Sequence, residues 1–221
     1  MNCAKNLRVT ALVAAALAFT AVNANADFIT GYGWVTTEAI SMSASTASLN
    51  STSCHGGSAC IPANADVTFT TTGVNFSTGA NTVAAWLASS GFTLDNVVDN
   101  VPGSPLDPTI WEFVGNISVT SPNPFTIEHD DGVTFVVNGE TVIDAPGPTG
   151  AVPTPGTYTG AASGNAPFDL IYAECCSPPA VLNVSLLGPT NAPVPEPGSI
   201  ILLGTATCGI VWSIRRRRRK A

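Results

Sequence analysis

A β-sandwich of jelly-roll type is the fold predicted for the middle of this chain, on three observations. Thr, Val, Ser, Asn, Gly and Pro dominate residues 27–194, with scattered aromatics, a usage that favours strands and turns over helices. Short apolar runs recur between turn signals, "PGSP", "SPNP", "DDG", "NG" and "PGPTG". The stretch is long enough for one domain with its own core.

The N-terminus is an address. Lys5 and Arg8 precede an apolar run over residues 9–22, and Ala24 and Ala26 stand at the −3 and −1 positions of a cleavage site before Asp27. Residues 1–26 are therefore predicted to be a secretory signal peptide read by the Sec export machinery. The run is too short for the ~20 residues that a membrane span prefers.

Within the exported part, residues 27–190, strands are predicted at 28–37, 66–76, 109–120, 125–129, 133–137, 140–143, 166–173 and 180–187. One helix is predicted in "NTVAAWLASSG", with Asn81 as N-cap, Val83, Trp86 and Leu87 on one face, and Gly91 as stop. Residues 146–166 are rich in Pro and Gly and predict an exposed loop with a short strand inside. Asn138-Gly139 is a two-residue hairpin signal, because both residues tolerate positive φ. That hairpin would set Val137 against Glu140, Phe135 against Val142, and Val133 against Asp144. Asp144 would then return beside Asp130 and Asp131 of the "DDG" turn. Three converging carboxylates without a basic partner are costly unless a hard cation neutralises them, and calcium suits an exported protein. The competing reading makes Asp130 a turn cap and Asp131-Gly132 the hairpin geometry.

Cys3 falls in the signal peptide and Cys208 in the C-terminal apolar run, leaving Cys54, Cys60, Cys175 and Cys176. Two disulfides are expected in an exported chain. The glycines of "SCHGGSAC" favour a local Cys54–Cys60 bridge, which leaves Cys175 with its neighbour Cys176; cross-pairing of the two couples is the alternative.

The charge distribution is lopsided. The eight Lys and Arg residues are Lys5, Arg8, Arg215–Arg219 and Lys220, whereas all 15 Asp and Glu except Glu196 lie within 27–194. Such a domain repels nucleic acid and anionic lipid and attracts divalent cations. His55 and His129 are its only side chains able to become cationic. No G-x-S-x-G, H-E-x-x-H or phosphate-loop pattern is present. His129 and Asp130 are adjacent, so on a strand they point to opposite faces and do not form a base with its orienter. The expectation is a protein that is not an enzyme.

The C-terminus is a second address. Val194-Pro195-Glu196-Pro197 precedes an uncharged apolar run over 199–214 and a basic cluster over 215–220. The run can make a short membrane span, with the basic cluster kept on the cytoplasmic side. Two prolines hold Glu196 in an extended segment that a protease can thread. This order of motif, span and basic end, over residues 191–221, resembles the PEP-CTERM sorting signal of Gram-negative bacteria. The resemblance implies recognition by an exosortase, anchoring in the membrane with a periplasmic ectodomain, and delivery to the cell surface or exopolysaccharide matrix.

A second resemblance covers about 125–187. A strand (125–129), Asp130-Asp131-Gly132, a strand ending in Asn138-Gly139, another ending in Asp144, and an apolar strand reaching Tyr172-Ala173-Glu174 resemble the PA14 module. That resemblance implies a β-sandwich that binds carbohydrate or serves adhesion, with Asp130 and Asp131 as candidates to hold a calcium ion that contacts sugar hydroxyls. The expected function is a glycan-binding or structural module of the surface or matrix. The rivals are a secreted hydrolase of matrix polysaccharide and a passive matrix component. Trp34 and Trp111 are candidates either for stacking on sugar or, more simply, for the core.

Overall fold

The computed structural model describes residues 28–51, 54 and 57–185. The signal peptide, His55, the sorting motif, the apolar run 199–214 and the basic cluster lie outside the described residues. Among the described residues no helix is long and apolar enough to cross a membrane.

Eleven strands among the described residues form two antiparallel sheets, as the residue usage predicts. They are β1 (Ile29–Val35), β2 (Val67–Thr71), β3 (Asn75–Thr78), β4 (Asp95–Asp99), β5 (Thr109–Val119), β6 (Asn123–His129), β7 (Gly132–Val137), β8 (Glu140–Ala145), β9 (Val152–Tyr158), β10 (Ser163–Glu174) and β11 (Ala180–Val184). The larger sheet has the order β4-β2-β1-β5-β10-β7-β8, the smaller β3-β11-β6-β9. Their inner faces meet around Phe69, Phe76, Trp111, Phe113, Phe125, Ile127, Phe135, Leu170 and Leu182. In β6 the alternation is strict: Phe125, Ile127 and His129 are buried, while Pro124, Thr126 and Glu128 are exposed.

The outer face of the larger sheet is also partly covered. Trp34, Ile110, Ile171 and Ala173 pack there against Ile40, Ala44, Leu49, Cys54 and Cys60. Those partners come from the connection between β1 and β2, which carries the one-turn helices α1 (Glu38–Ser41) and α2 (Thr46–Leu49). Ser45 caps α2 by accepting from the Ser48 N–H. The Cys54–Cys60 disulfide closes this segment, and Cys175 and Cys176 form the second bridge, so the local pairing holds. Trp34 and Trp111 are both buried, as core residues rather than sugar platforms.

Three elements depart from the sequence expectation. The strand expected over 66–76 is two strands in different sheets. The Thr71 hydroxyl donates to the Gly73 carbonyl and turns the chain from one sheet to the other. The sequence DNVVD forms β4, an edge strand whose first four residues are exposed, so it lacks the alternation that marks a half-buried strand. The strand expected inside the Pro/Gly-rich excursion is the seven-residue β9, paired along its length with β6. Its Pro153 and Pro155 are tolerated because β9 is an edge. The helix α3 (Val83–Ala88) forms where expected, but its cap is Thr82, whose hydroxyl accepts from the Ala85 N–H. The Asn81 side chain instead holds the loop before β5.

Candidate functional site

The Asp130-Asp131 corner joins β6 of one sheet to β7 of the other. Both side chains are buried, at 4% exposure each. The Asp130 N–H donates to Val181 O at 3.1 Å, and Asp130 Oδ1 accepts from the Val181 N–H at 2.6 Å, which ties the corner to β11. Asp131 lies in the left-handed region at φ 50°, where Asp is among the tolerated residues. Its N–H donates to Thr149 O at 2.8 Å, and its Oδ2 accepts from the Cys175 N–H at 2.8 Å. Asp130 Oδ1 and Asp131 Oδ2 are thus the carboxylate oxygens that anchor the corner to β10 and β11.

His129 supports the turn from within. Its Nδ1 lies 2.9 Å from Asp131 O and its Nε2 lies 2.7 Å from Thr154 Oγ1. A carbonyl only accepts, so Nδ1 carries the proton and Nε2 accepts from the Thr154 hydroxyl. Burial lowers the His129 pKa and favours this neutral ring.

Behind Asp130 stands Tyr172. Its hydroxyl lies 2.7 Å from Asp130 Oδ1 and also contacts Glu174 Oε2. One hydroxyl has one proton to give, so one of the two carboxyls must be the donor. Glu174 takes that role: burial pushes its pKa up to about 9, and the charges of Asp130 and Asp131 push the same way. Neutral Glu174 donates to Tyr172, and Tyr172 donates to Asp130. Burial also raises Asp130, against the pull of its hydrogen bonds from Tyr172 and Val181. Asp131 is raised to about 6, by burial first, opposed by the Cys175 N–H and reinforced by Asp130 and Asp107. The Tyr172 ring continues a stack through the core, 5.4 Å from Trp86 and nearly parallel to it, with Phe76 4.8 Å beyond.

Asp107 completes the acidic corner, from the loop before β5. Asn81 Oδ1 accepts from both the Leu106 and Asp107 N–H groups at 3.0 Å, which fixes that loop. Asp107 Oδ2 in turn accepts from the Ser177 N–H at 3.1 Å. Sequence reasoning does not find Asp107. Its only signal is Asn81, whose polar side chain just ahead of Thr82 reads as the helix cap.

Asp144 does not join the corner. A bulge between Phe135 and Val136 shifts the β7–β8 register, so Phe135 faces Ile143 and Thr134 faces Asp144. Val137 and Glu140 pair as expected around the Asn138-Gly139 turn, where both residues have positive φ. Beyond the bulge Asp144 is exposed on β8, whereas Asp130 and Asp131 are buried. Among the described residues, the potential ligand atoms that lie within 4.8 Å of one another belong to Asp131, Cys175 and Cys176.

The sulfurs of the second bridge border this corner. Cys175 is buried and Cys176 exposed, and Cys176 and Ser177 both have positive φ. Cys176 Sγ lies 3.7 Å from Sδ of Met42, which is 45% exposed.

Two solved structures share this architecture. A PA14 sugar-binding domain from an RTX adhesin superposes with a TM-score of 0.51 and 19% identity, over 72% of this chain and 86% of that one. The PA14 domain of the MpAFP antifreeze protein gives 0.52 and 17%, over 74% and 84%. The domain has the PA14 fold. Residues 193–219 match the PEP-CTERM protein-sorting motif, in agreement with Val194-Pro195-Glu196-Pro197 and with the apolar run and basic cluster after it. No curated protein matches the sequence significantly. In this PA14 fold the corner residues come from the β6–β7 turn, the β5 approach and the end of β10.

Proposed function

We propose that this chain is an exported protein of the Gram-negative cell surface or exopolysaccharide matrix whose PA14-fold domain binds glycan through a calcium ion. The sorting motif carries the first half of that reading. A PEP-CTERM signal implies processing by an exosortase and anchoring of the precursor by its apolar run, with the domain facing the periplasm. The signal peptide supplies export.

The observation that carries the second half is the pair of adjacent, buried and anchored carboxylates at this corner. A buried anion without a counter-charge is unfavourable, and the raised pKa values of Asp130 and Asp131 express that cost. Residues 27–194 contain no Lys or Arg to relieve it. A hard divalent cation fits the all-oxygen donor set of Asp130 and Asp131, with Asp107 adding negative potential. Bound there, calcium would supply a Lewis-acidic centre for sugar hydroxyls. It would also let so acidic a domain approach anionic polysaccharide. The RTX adhesin neighbour is described as sugar-binding, which agrees with this reading.

The domain is proposed to bind rather than to catalyse. One of the rival functions, a passive matrix component, gives a different result in one binding experiment, and a hydrolase would be told apart by release of sugar from polysaccharide. A glycan array probed in calcium and again in chelator should show binding that the chelator abolishes. Binding unchanged by chelator would remove the metal bridge, and a blank array in both conditions would favour the passive component.

A further inference from the structure

The sulfur groups beside Asp131 form an exposed surface that the acidic corner does not use. Cys176 Sγ and Met42 Sδ are 3.7 Å apart, and Met42 is 45% exposed although it lies in a segment packed on the sheet. The Cys175–Cys176 bridge links this surface directly to the corner, because both sulfurs lie within 4.8 Å of an Asp131 carboxylate oxygen.

This surface is held from three sides. The Cys175 N–H is fixed by Asp131 Oδ2, the Ser177 N–H by Asp107 Oδ2, and α1 ends at Met42, whose N–H donates to Glu38 O at 3.0 Å. Two successive residues with positive φ, Cys176 and Ser177, carry the chain around it. A disulfide and a thioether are soft and polarizable, with almost no hydrogen-bonding capacity. Carboxylates and sulfur thus present two different chemistries to one small region.

We infer that Met42 and the Cys175–Cys176 bridge form an apolar wall that selects pyranose rings at the proposed calcium site. A pyranose is itself two-sided: its hydroxyls suit a cation, and its ring C–H face suits an apolar surface. The acidic corner takes the hydroxyls and the sulfur wall takes the ring face. Met42 is thereby a specificity-determining residue. The inference rests on the glycan-binding reading above.

The test uses the full chain in calcium and measures binding by calorimetry. The probes are the methyl pyranosides of galactose, mannose and glucose, each against its open-chain alditol, which bears hydroxyls but no rigid ring face. The native protein should prefer at least one pyranoside over its alditol. Met42→Gln keeps the length of the side chain, removes the sulfur and adds polarity at an exposed position. It should weaken the preferred pyranoside about fivefold to tenfold, as expected for the loss of one such apolar contact. Calcium affinity and alditol binding should not move. Cys175→Ala/Cys176→Ala, checked for folding by its melting curve, should weaken the pyranoside in the same way. Equal binding of pyranosides and alditols, or Met42→Gln binding as native, would overturn the wall while leaving calcium-dependent glycan binding intact. Failure of every probe with calcium still bound would overturn the wall and the glycan reading together.

Discussion

Replacing Tyr172 with Phe removes one oxygen atom and tests the hydrogen-bonded chain behind the acidic corner. The ring stays, so its stack on Trp86 is kept. What goes is the hydroxyl that bridges Asp130 Oδ1 and Glu174 Oε2. A hydrogen bond to a charged group contributes roughly 1.5–3 kcal/mol, and a buried polar group left without its partner costs about 1–3 kcal/mol. Glu174 is 1% exposed and cannot turn to water for a substitute. Asp130 keeps the Val181 N–H, which limits the loss on its side. The variant should therefore lose about 3 kcal/mol, or roughly 6–12 °C in Tm for a domain of this size. Tyr158→Phe is the control. That hydroxyl is on an equally buried residue but donates to a neutral partner, the Ala161 carbonyl at 2.9 Å, and accepts only a long bond of 3.4 Å from Asn138 Nδ2, so its loss should cost about 1 kcal/mol. Urea unfolding of both variants, in chelator, gives the comparison. If Tyr172→Phe proves no more destabilising than Tyr158→Phe, the chain from Glu174 through Tyr172 to Asp130 is wrong.

Two further predictions concern the sheets. Glu112 lies half-buried on the outer face of β5, and burial, with help from Asp169, raises its pKa from 4.5 to about 7. A raised carboxyl costs the fold nothing below pH 4.5, where it is neutral in both states, and the penalty is complete above pH 7. Glu112→Gln should therefore match the native protein at about pH 4 and exceed it at about pH 8 by about 1 kcal/mol, discounted for the solvent that reaches the group; identical stability at both pH values would contradict the assignment. Gly156→Ala places a Cβ 2.6 Å from both the Val142 carbonyl oxygen and Ile143 Cγ1. Backbone cannot yield as a side chain does, so the variant should lose about 2 kcal/mol, read from the urea midpoint. A midpoint at the native value would mean that β8 and β9 are not in contact there.

The parts of the fold legible in the sequence are those set by neighbours along the chain. Asn138-Gly139 needs only its own φ angles, and it marks the hairpin. The Cys54–Cys60 bridge closes a short loop, and its spacing announces it. What is not legible depends on distant partners. The bounds of strand β9 and its pairing with β6 are set across a run of prolines and glycine that by itself reads as a loop with a short strand inside. Strand β4 is too exposed to show an alternating pattern. Asp144 is carried away from its expected place by one bulge that no residue pattern marks, since a shift of one residue changes the face of everything beyond it. Asp107 is brought to Ser177 by a loop that Asn81 pins from across the sequence, and no local pattern records such a bond. The "DDG" turn is visible in the sequence, but its burial and its Tyr172–Glu174 support exist only in the folded chain.

The most direct test of the account is a calorimetric titration of the purified protein with calcium chloride, repeated for Asp131→Ala and Asp144→Ala. The acidic corner predicts a saturable heat in the native protein, lost in Asp131→Ala and kept in Asp144→Ala, because Asp131 is buried at the corner and Asp144 is exposed beyond the bulge. No saturable heat in the native protein, or equal loss in both variants, would contradict it and return Asp130-Asp131 to the role of a turn.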